Sequence, residues 1–165
     1  MKHISLERLW NKGRKIGVIL FALVMLVSVT ACGQTETAKE PNAESQEAEA
    51  MVLTINGETV SVEWENNESV EALMDLVAKE PLSIQMSMYG GFEQVGSIGS
   101  TLPQNDVQTT TESGDIVLYS GNQIVVFYGS NSWAYTRLGK VTDKSKAEMT
   151  EFLGNGDVTI TISVE

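Results

Sequence analysis

The sequence predicts a mainly β domain, an all-β sandwich or barrel with about eight strands and two short helices. Apolar and polar residues alternate in short runs after Met51, and turn residues separate these runs. Only two segments space their apolar residues as a helix does. The stretch from 51 to 165 has 115 residues, which is enough for one hydrophobic core and not for two.

The domain begins with a predicted β-hairpin. Residues 51–55 and 58–64 alternate on either side of Asn56-Gly57, a dipeptide typical of two-residue turns. This turn length pairs apolar residues across the hairpin, Leu53 with Val60 and Met51 with Val62. All four then share one face, so turn length and hydrophobic alternation agree.

The main predicted helix runs from Ser69 to Lys79. Asn67 or Ser69 can cap its first turn, and Pro81 ends it. Its apolar stripe consists of Val70, Leu73, Met74 and Val77. We interpret this stripe as the face that covers or plugs a sheet.

Seven further strands complete the prediction. They are expected at 82–88, 94–98, 107–112, 115–119, 124–128, around 138–141 and at 158–164, with a second short helix at 144–153. The 94–98 strand has the weakest pattern, and 82–88 alternates most regularly.

Residues 1–31 have the layout of a secretory signal peptide. A lead with five basic residues precedes an apolar run at 16–29, and Thr30-Ala31 come just before Cys32. Val29-Thr30-Ala31-Cys32 resembles a bacterial lipobox, which implies that Cys32 is lipidated and becomes the first residue of the mature chain. The expected product is a lipoprotein of the bacterial cell membrane that faces the extracytoplasmic side. The alternative is an uncleaved N-terminal anchor helix, which would also place the domain outside the cytoplasm.

The segment 32–50 is predicted to be the lipidated cysteine and a disordered acidic tether. It is rich in Glu, Ala, Gln, Thr and Ser and has no aromatic residue. Such a stretch buries too little apolar surface to offset the entropy lost on ordering. We therefore place the folded domain at 51–165.

Charge and residue content exclude several function classes. Without the leader the net charge falls from −11 to near −15, a surface that repels phosphate backbones and disfavours nucleic-acid binding. His3 is the only histidine and leaves with the leader, and Cys32 is the only cysteine. The domain therefore has no Ser-His-Asp or Cys-His machinery and no His- or Cys-ligated metal site. The turn at 154–157 does not reproduce an EF-hand, so we predict no metal and no cofactor.

Several short motifs, in order, resemble the bacterial cyclophilin-like domain family. They are Tyr89-Gly90-Gly91-Phe92-Glu93, Gly99-Ser100-Thr101-Leu102-Pro103, Gly114-Asp115-Ile116-Val117-Leu118-Tyr119, Ile124-Val125-Val126-Phe127-Tyr128-Gly129 and Arg137-Leu138-Gly139-Lys140-Val141. The hairpin–helix opening fits the same pattern, and the resemblance covers about 51–165. It implies a closed eight-stranded barrel with two short helices at its ends.

The resemblance does not extend to the catalytic residues of cyclophilin prolyl isomerases. That family uses an arginine in a Phe-His-Arg type segment, with a glutamine, aromatics and a histidine around an apolar groove. This chain has no such segment, and Arg137 stands in another context. Prolyl isomerisation must overcome a barrier of ~18–20 kcal/mol, for which a cationic donor near the proline nitrogen is needed. Fold alone does not imply the activity.

Two glycine- and aromatic-rich loops, at 89–94 and 128–137, are the candidate ligand-binding surface. Rigid aromatic side chains with small polar neighbours make adaptable contacts. The candidate residues are Tyr89, Phe92, Glu93, Tyr128, Asn131, Trp133, Tyr135 and Arg137, the last as a clamp for a carboxylate or a peptide carbonyl. The alternative is that Trp133 and Tyr135 pack into the barrel mouth and that Arg137 pairs with a nearby acidic residue.

Three functions from different classes therefore stay open. The favoured one is a tethered module that binds a peptide or small molecule without efficient isomerase activity. The second is an extracytoplasmic prolyl isomerase that uses Arg137. The third is an accessory subunit of an envelope protein complex. The sequence determines neither the ligand nor the oligomeric state.

Overall fold

A computed structural model describes residues 50–165 of the chain. The predicted signal peptide, Cys32 and the tether up to 49 lie outside the described residues. Within residues 50–165, neither helix has the length and apolar character that crossing a membrane requires.

The described residues form ten strands and two helices. In chain order these are β1 (Met51–Ile55), β2 (Glu58–Val60), β3 (Val62–Trp64), α1 (Glu68–Val77), β4 (Leu82–Tyr89), β5 (Glu93–Ser97), β6 (Val107–Thr110), β7 (Asp115–Tyr119), β8 (Gln123–Phe127), β9 (Ser132–Val141), α2 (Lys146–Leu153) and β10 (Val158–Val164). Every predicted strand and both predicted helices are present, and most ends differ by a few residues. The strand predicted around 138–141 begins earlier, at Ser132, and the one predicted at 58–64 is interrupted at Ser61.

Nine of these strands form a nearly closed antiparallel barrel. Their order is β2-β1-β10-β4-β5-β8-β7-β9-β3, and β6 pairs with β9 outside this path. The two end strands, β2 and β3, are separated in the chain only by Ser61. The predicted mainly β barrel is thus confirmed, with nine strands where the family resemblance implies eight. The second predicted hairpin strand is divided into β2 and β3, and the predicted 107–112 strand, β6, lies outside the barrel path.

The interruption at Ser61 also corrects one predicted pairing. Leu53 pairs with Val60 as expected, around a turn in which Asn56 and Gly57 have φ of 51° and 83°. Met51, however, pairs with Val164, and Val62 pairs with Val141. The strand leaves the hairpin because barrel closure brings its second half to β9, a partner far along the chain.

Helix α1 packs its apolar stripe on the barrel interior. Val70, Leu73 and Val77 are buried in the main core. Asn67 is the N-cap, because its Oδ1 accepts hydrogen bonds from the backbone nitrogens of Ser69 and Val70, both at 3.1 Å. Its Nδ2 also donates to the carbonyl of Arg137 at 2.9 Å, which ties the start of the helix to β9.

We expect Asn67→Ala to lower the free energy of unfolding by about 1–2 kcal/mol, the usual cost of losing an N-cap. Urea unfolding followed by circular dichroism measures the change. Asn67→Asp keeps the acceptor oxygen and loses the bond to β9, so it should recover part of the loss. Equal stability of Asn67→Ala and the wild type would show that this cap contributes nothing.

The barrel has two apolar regions, one on each face of the same strands. The main core fills the interior. A smaller group on the outside, here called the outer-face cluster, consists of Val117, Val125, Phe127 and Tyr135, with Phe92 and Val95 packed against it. Strand β8 therefore has its last four residues buried, because successive side chains point to opposite faces and both faces are covered.

Candidate functional site

The outer-face cluster is built by the register of four neighbouring strands. Val125 of β8 lies opposite Val95 of β5 on one side and Val117 of β7 on the other. Val117 in turn lies opposite Arg137 of β9, next to a β-bulge. The outward-facing residues of these strands therefore form one continuous surface, which in a free-standing barrel would be polar.

A pocket of about 400 Å³ opens on this surface. This volume is within the range typical of small-ligand sites. The pocket brings together five of the predicted site residues, Tyr89, Glu93, Asn131, Trp133 and Tyr135. They come from β4, β5, the β8–β9 turn and β9, so the two sequence regions chosen as the candidate surface meet in space.

Glu93 is the most unusual residue of this pocket. The residue is only 6% exposed, and within residues 50–165 its Oε2 has no hydrogen-bond partner. Burial disfavours the charged form and raises the pKa of the Glu93 carboxyl from 4.5 to about 7. A carboxyl group in this state can exchange its proton near neutral pH and still lacks a partner for one oxygen.

The strand beneath Glu93 is held firmly. Glu93 pairs with Tyr89 of β4 and with Phe127 of β8. The next residue, Gln94, points into the barrel and donates from Nε2 to the carbonyls of Leu153 and Gly156, both at 2.7 Å. Because side chains alternate along a strand, fixing Gln94 inward fixes Glu93 outward.

Tyr135 forms one wall of the pocket and is buried. Its ring packs edge-on against Phe127 and Tyr119, with ring centroids 5.7 and 6.1 Å apart. Asn131 Nδ2 donates to the Tyr135 hydroxyl at 3.0 Å. Burial, and then the nearby charge of Glu93, raise the pKa of the Tyr135 phenol. The phenol is thus neutral at physiological pH and oriented by Asn131.

The rim of the pocket carries exposed aromatic side chains. Tyr89 is 67% exposed, Trp133 58% and Tyr119 37%. Large exposed apolar groups gathered at one concave site indicate a surface that meets a ligand or partner. Tyr89 precedes Gly90 and Gly91, which have φ of 61° and 74° and make the tight turn that brings Tyr89 beside the pocket.

Three predicted site residues do not line the pocket. Phe92 packs against the outer-face cluster, its ring stacked 6.5 Å from that of Phe127. Tyr128 is buried in the main core. Arg137 lies further along β9, where its Nη2 is 3.1 Å from Asp115 Oδ2 and its Nε is 3.8 Å from Glu65 Oε1.

The second predicted loop is also largely a strand. Only residues 128–131 form a turn, and β9 begins at Ser132. Trp133 and Tyr135 therefore project from a rigid strand, two residues apart and on one face. Serine, asparagine and glycine in this region favour a loop locally, and pairing with β6 and β7 overrides that preference.

Sequence reasoning missed four residues of the pocket, Val95, Tyr119, Gln123 and Val125. Three are on β7 and β8, whose apolar runs look like strands buried against a core. A signal was available in those runs, because residues apolar at consecutive positions imply that both faces of the strand are covered. These runs therefore imply that apolar side chains also lie on the outer face of the barrel.

No group of three or more His, Cys, Asp or Glu side chains suited to a metal ion occurs in the described part of the chain. The pocket has one carboxylate, and its other polar groups are phenol, indole and amide. This donor set fits hydrogen bonding and aromatic contact with an organic ligand.

Comparison with known proteins gives the family. A search of the curated proteins finds no match. Among solved structures, the solution structure of the hypothetical protein AF2241 from Archaeoglobus fulgidus is similar, with 16% identity and a TM-score of 0.49 over 73% of this chain and 98% of that chain. Residues 53–163 match the Cyclophilin-like family. This stretch contains all of the barrel except the ends of its first and last strands, and the chain therefore belongs to the Cyclophilin-like family.

Proposed function

We propose that this protein is a membrane-anchored, extracytoplasmic lipoprotein whose cyclophilin-like domain binds a peptide or small molecule in the outer-face pocket, without efficient prolyl isomerisation. The observation that carries the binding part is the pocket itself, which combines a buried carboxyl group with exposed aromatic side chains. The anchoring part is supported by the basic lead, apolar run and Cys32 of the N-terminal sequence.

The position of Arg137 argues against the isomerase alternative. Catalysis would need a cationic donor beside the proline nitrogen of a bound peptide. No Lys or Arg is among the residues that line the pocket in the described domain. The Arg137 guanidinium already donates to Asp115 from both Nη1 and Nη2, at 3.2 and 3.1 Å. A guanidinium paired in this way links β9 to β7 and is not available to a ligand in the pocket.

An amide NMR titration of residues 50–165 with Xaa-Pro peptides tests this function. This stretch contains every strand and core residue described above. We expect shifts at 89–95 and 131–135 without acceleration of peptide cis–trans exchange. Accelerated exchange would support the isomerase instead. An absence of shifts at the pocket with peptides and small ligands would contradict the proposed function and favour a subunit that contacts a protein partner elsewhere.

Trp133→Ala should weaken binding of any peptide detected in that titration at least tenfold, because an exposed aromatic anchor is lost. Its free energy of unfolding should change by less than about 0.5 kcal/mol, since the side chain is mostly solvated. Peptide titration and urea unfolding measure the two effects.

Trp64→Phe is the matched control. The Trp64 indole is partly buried on β3 and donates to the carbonyl of Met51 at 2.9 Å. This substitution should lower stability and leave pocket affinity unchanged. A Trp133→Ala variant that unfolds, or that binds as the wild type does, would contradict the assignment of Trp133 to the binding site.

A further inference from the structure

The outer-face pocket contains a buried carboxyl group with one oxygen that lacks a hydrogen-bond donor. Glu93 Oε2 is buried and has no partner among residues 50–165. A carboxylate oxygen left without a donor is costly in a low-dielectric site. Tyr89, Tyr119 and Trp133 surround the opening and offer only ring faces, one indole N–H and two phenols.

The basic residues near this part of the barrel are paired elsewhere. Arg137 binds Asp115, and Lys140 Nζ lies 3.1 Å from Glu112 Oε2 and 3.5 Å from Asp115 Oδ1. Residues 50–165 hold sixteen acidic and five basic side chains. Within residues 50–165 no Lys or Arg lines the pocket, and the negative field of this domain attracts a cation from solution.

We propose that the pocket takes an organic ammonium group, held by the Glu93 carboxylate and by the aromatic rings at the rim. An ammonium donates hydrogen bonds to the carboxylate and is attracted to the faces of Trp and Tyr rings. This inference rests on the proposed function, because it names the ligand class of the same site.

Other ligand classes fit less well. A carboxylate ligand would be repelled by the Glu93 carboxylate and by the net negative charge of the domain. A wholly apolar ligand would cover Glu93 and leave Oε2 unsatisfied, at a cost in affinity. An ammonium with a short alkyl chain satisfies the carboxylate and covers Val95 and Val125 at the same time.

The test compares three probes with the same four-carbon chain, n-butylammonium, n-butanol and butyrate, on the full chain in a mild detergent. Saturation-transfer NMR titration at pH 8 gives each dissociation constant. We expect n-butylammonium to bind at least tenfold more tightly than n-butanol, with butyrate the weakest. Glu93→Gln should remove this preference and leave n-butanol binding within about twofold of the wild type.

The affinity should also depend on pH in one direction. Besides Glu93 of β5, the ionisable side chains lining the pocket are the phenols of Tyr89, Tyr119 and Tyr135, from β4, β7 and β9. An ammonium selects the ionised Glu93, so its affinity should fall about tenfold from pH 8 to pH 6. Tighter binding at pH 6, or equal binding of the three probes, would overturn the inference.

A capped Gly-Lys-Gly peptide, compared with its norleucine analogue, distinguishes the source of the ammonium. Tighter binding of the lysine peptide than of n-butylammonium supports a polypeptide ligand, and the reverse order supports a free amine. If n-butanol or the norleucine peptide binds at the pocket and the ammonium shows no advantage, this inference fails and the proposed function stands. If no probe or Xaa-Pro peptide binds there, both fail.

Discussion

Glu93→Gln is expected to stabilise the unliganded domain by about 3 kcal/mol at pH 8 and to leave its stability at pH 4 almost unchanged. Burial of Glu93 raises the pKa of its carboxyl to about 7 in the folded protein, from 4.5. Below the unfolded pKa both states hold the proton, so ionisation of Glu93 contributes no cost to folding. Between pH 4.5 and 7 the unfolded state loses its proton first, so stability falls, and above pH 7 the full cost is present.

The measurement is urea unfolding of the wild type and the variant at pH 4, 6 and 8, followed by circular dichroism. The difference between the two proteins at each pH isolates Glu93 from the other carboxylates. Glu151→Gln is the control, because that side chain is exposed on α2 and should shift stability by less than about 0.5 kcal/mol. A Glu93→Gln difference that does not grow with pH would show that the Glu93 carboxylate is not destabilised by burial.

A stabilising substitution at Glu93 would also bear on function. A carboxylate that costs stability in the unliganded domain is typical of binding and catalytic sites, where folding stability is lower than it could be. The same variant is expected to lose the ammonium preference proposed above. Gain of stability and loss of binding in one protein would together assign Glu93 to ligand recognition.

Asp115→Ala is expected to lower the free energy of unfolding by about 3 kcal/mol. Asp115 is 1% exposed, and its Oδ2 accepts from both Arg137 Nη groups and from the backbone nitrogen of Glu112 at 2.9 Å. Removing the carboxylate leaves a guanidinium and a backbone N–H without their acceptor. Breaking a buried ion pair on one side costs about 3–5 kcal/mol, and the partial exposure of Arg137 places the effect at the lower end.

Urea unfolding at pH 7 measures this loss. The control is Glu112→Ala, because the Glu112 side chain is 77% exposed and makes only a surface ion pair with Lys140, which is worth less than about 1 kcal/mol. Pocket affinity of Asp115→Ala, measured on the fraction still folded, should match the wild type. Unchanged stability would mean that Arg137 is free for another partner and would reopen its role as a binding residue.

The sequence by itself determined most of the secondary structure and the class of the fold. Hydrophobic alternation and turn residues act within a few positions of one another, so the Asn56-Gly57 hairpin, the capped helix α1 and the β7 strand were all predictable. Ordered motifs gave the family, and residue content excluded histidine-based chemistry from the domain. The sequence also indicated the two regions that contain Tyr89, Glu93, Asn131, Trp133 and Tyr135.

The tertiary structure alone decided which of these residues share a pocket. Met51 could not be assigned to Val164, nor Val62 to Val141, because barrel closure joins partners that are far apart in the chain. Arg137 is close in sequence to the pocket residues of β9, but the register of β7 and β9 brings it to Asp115, with which it forms an ion pair. Val95 and Val125 lie on the outside of the barrel. Their place there could not be predicted, because strands whose two faces are both buried show no alternation that tells the inner face from the outer. The pattern of neighbouring residues determines local structure. Burial of Glu93 and the ion pair between Arg137 and Asp115 arise only when strands far apart in the chain pair.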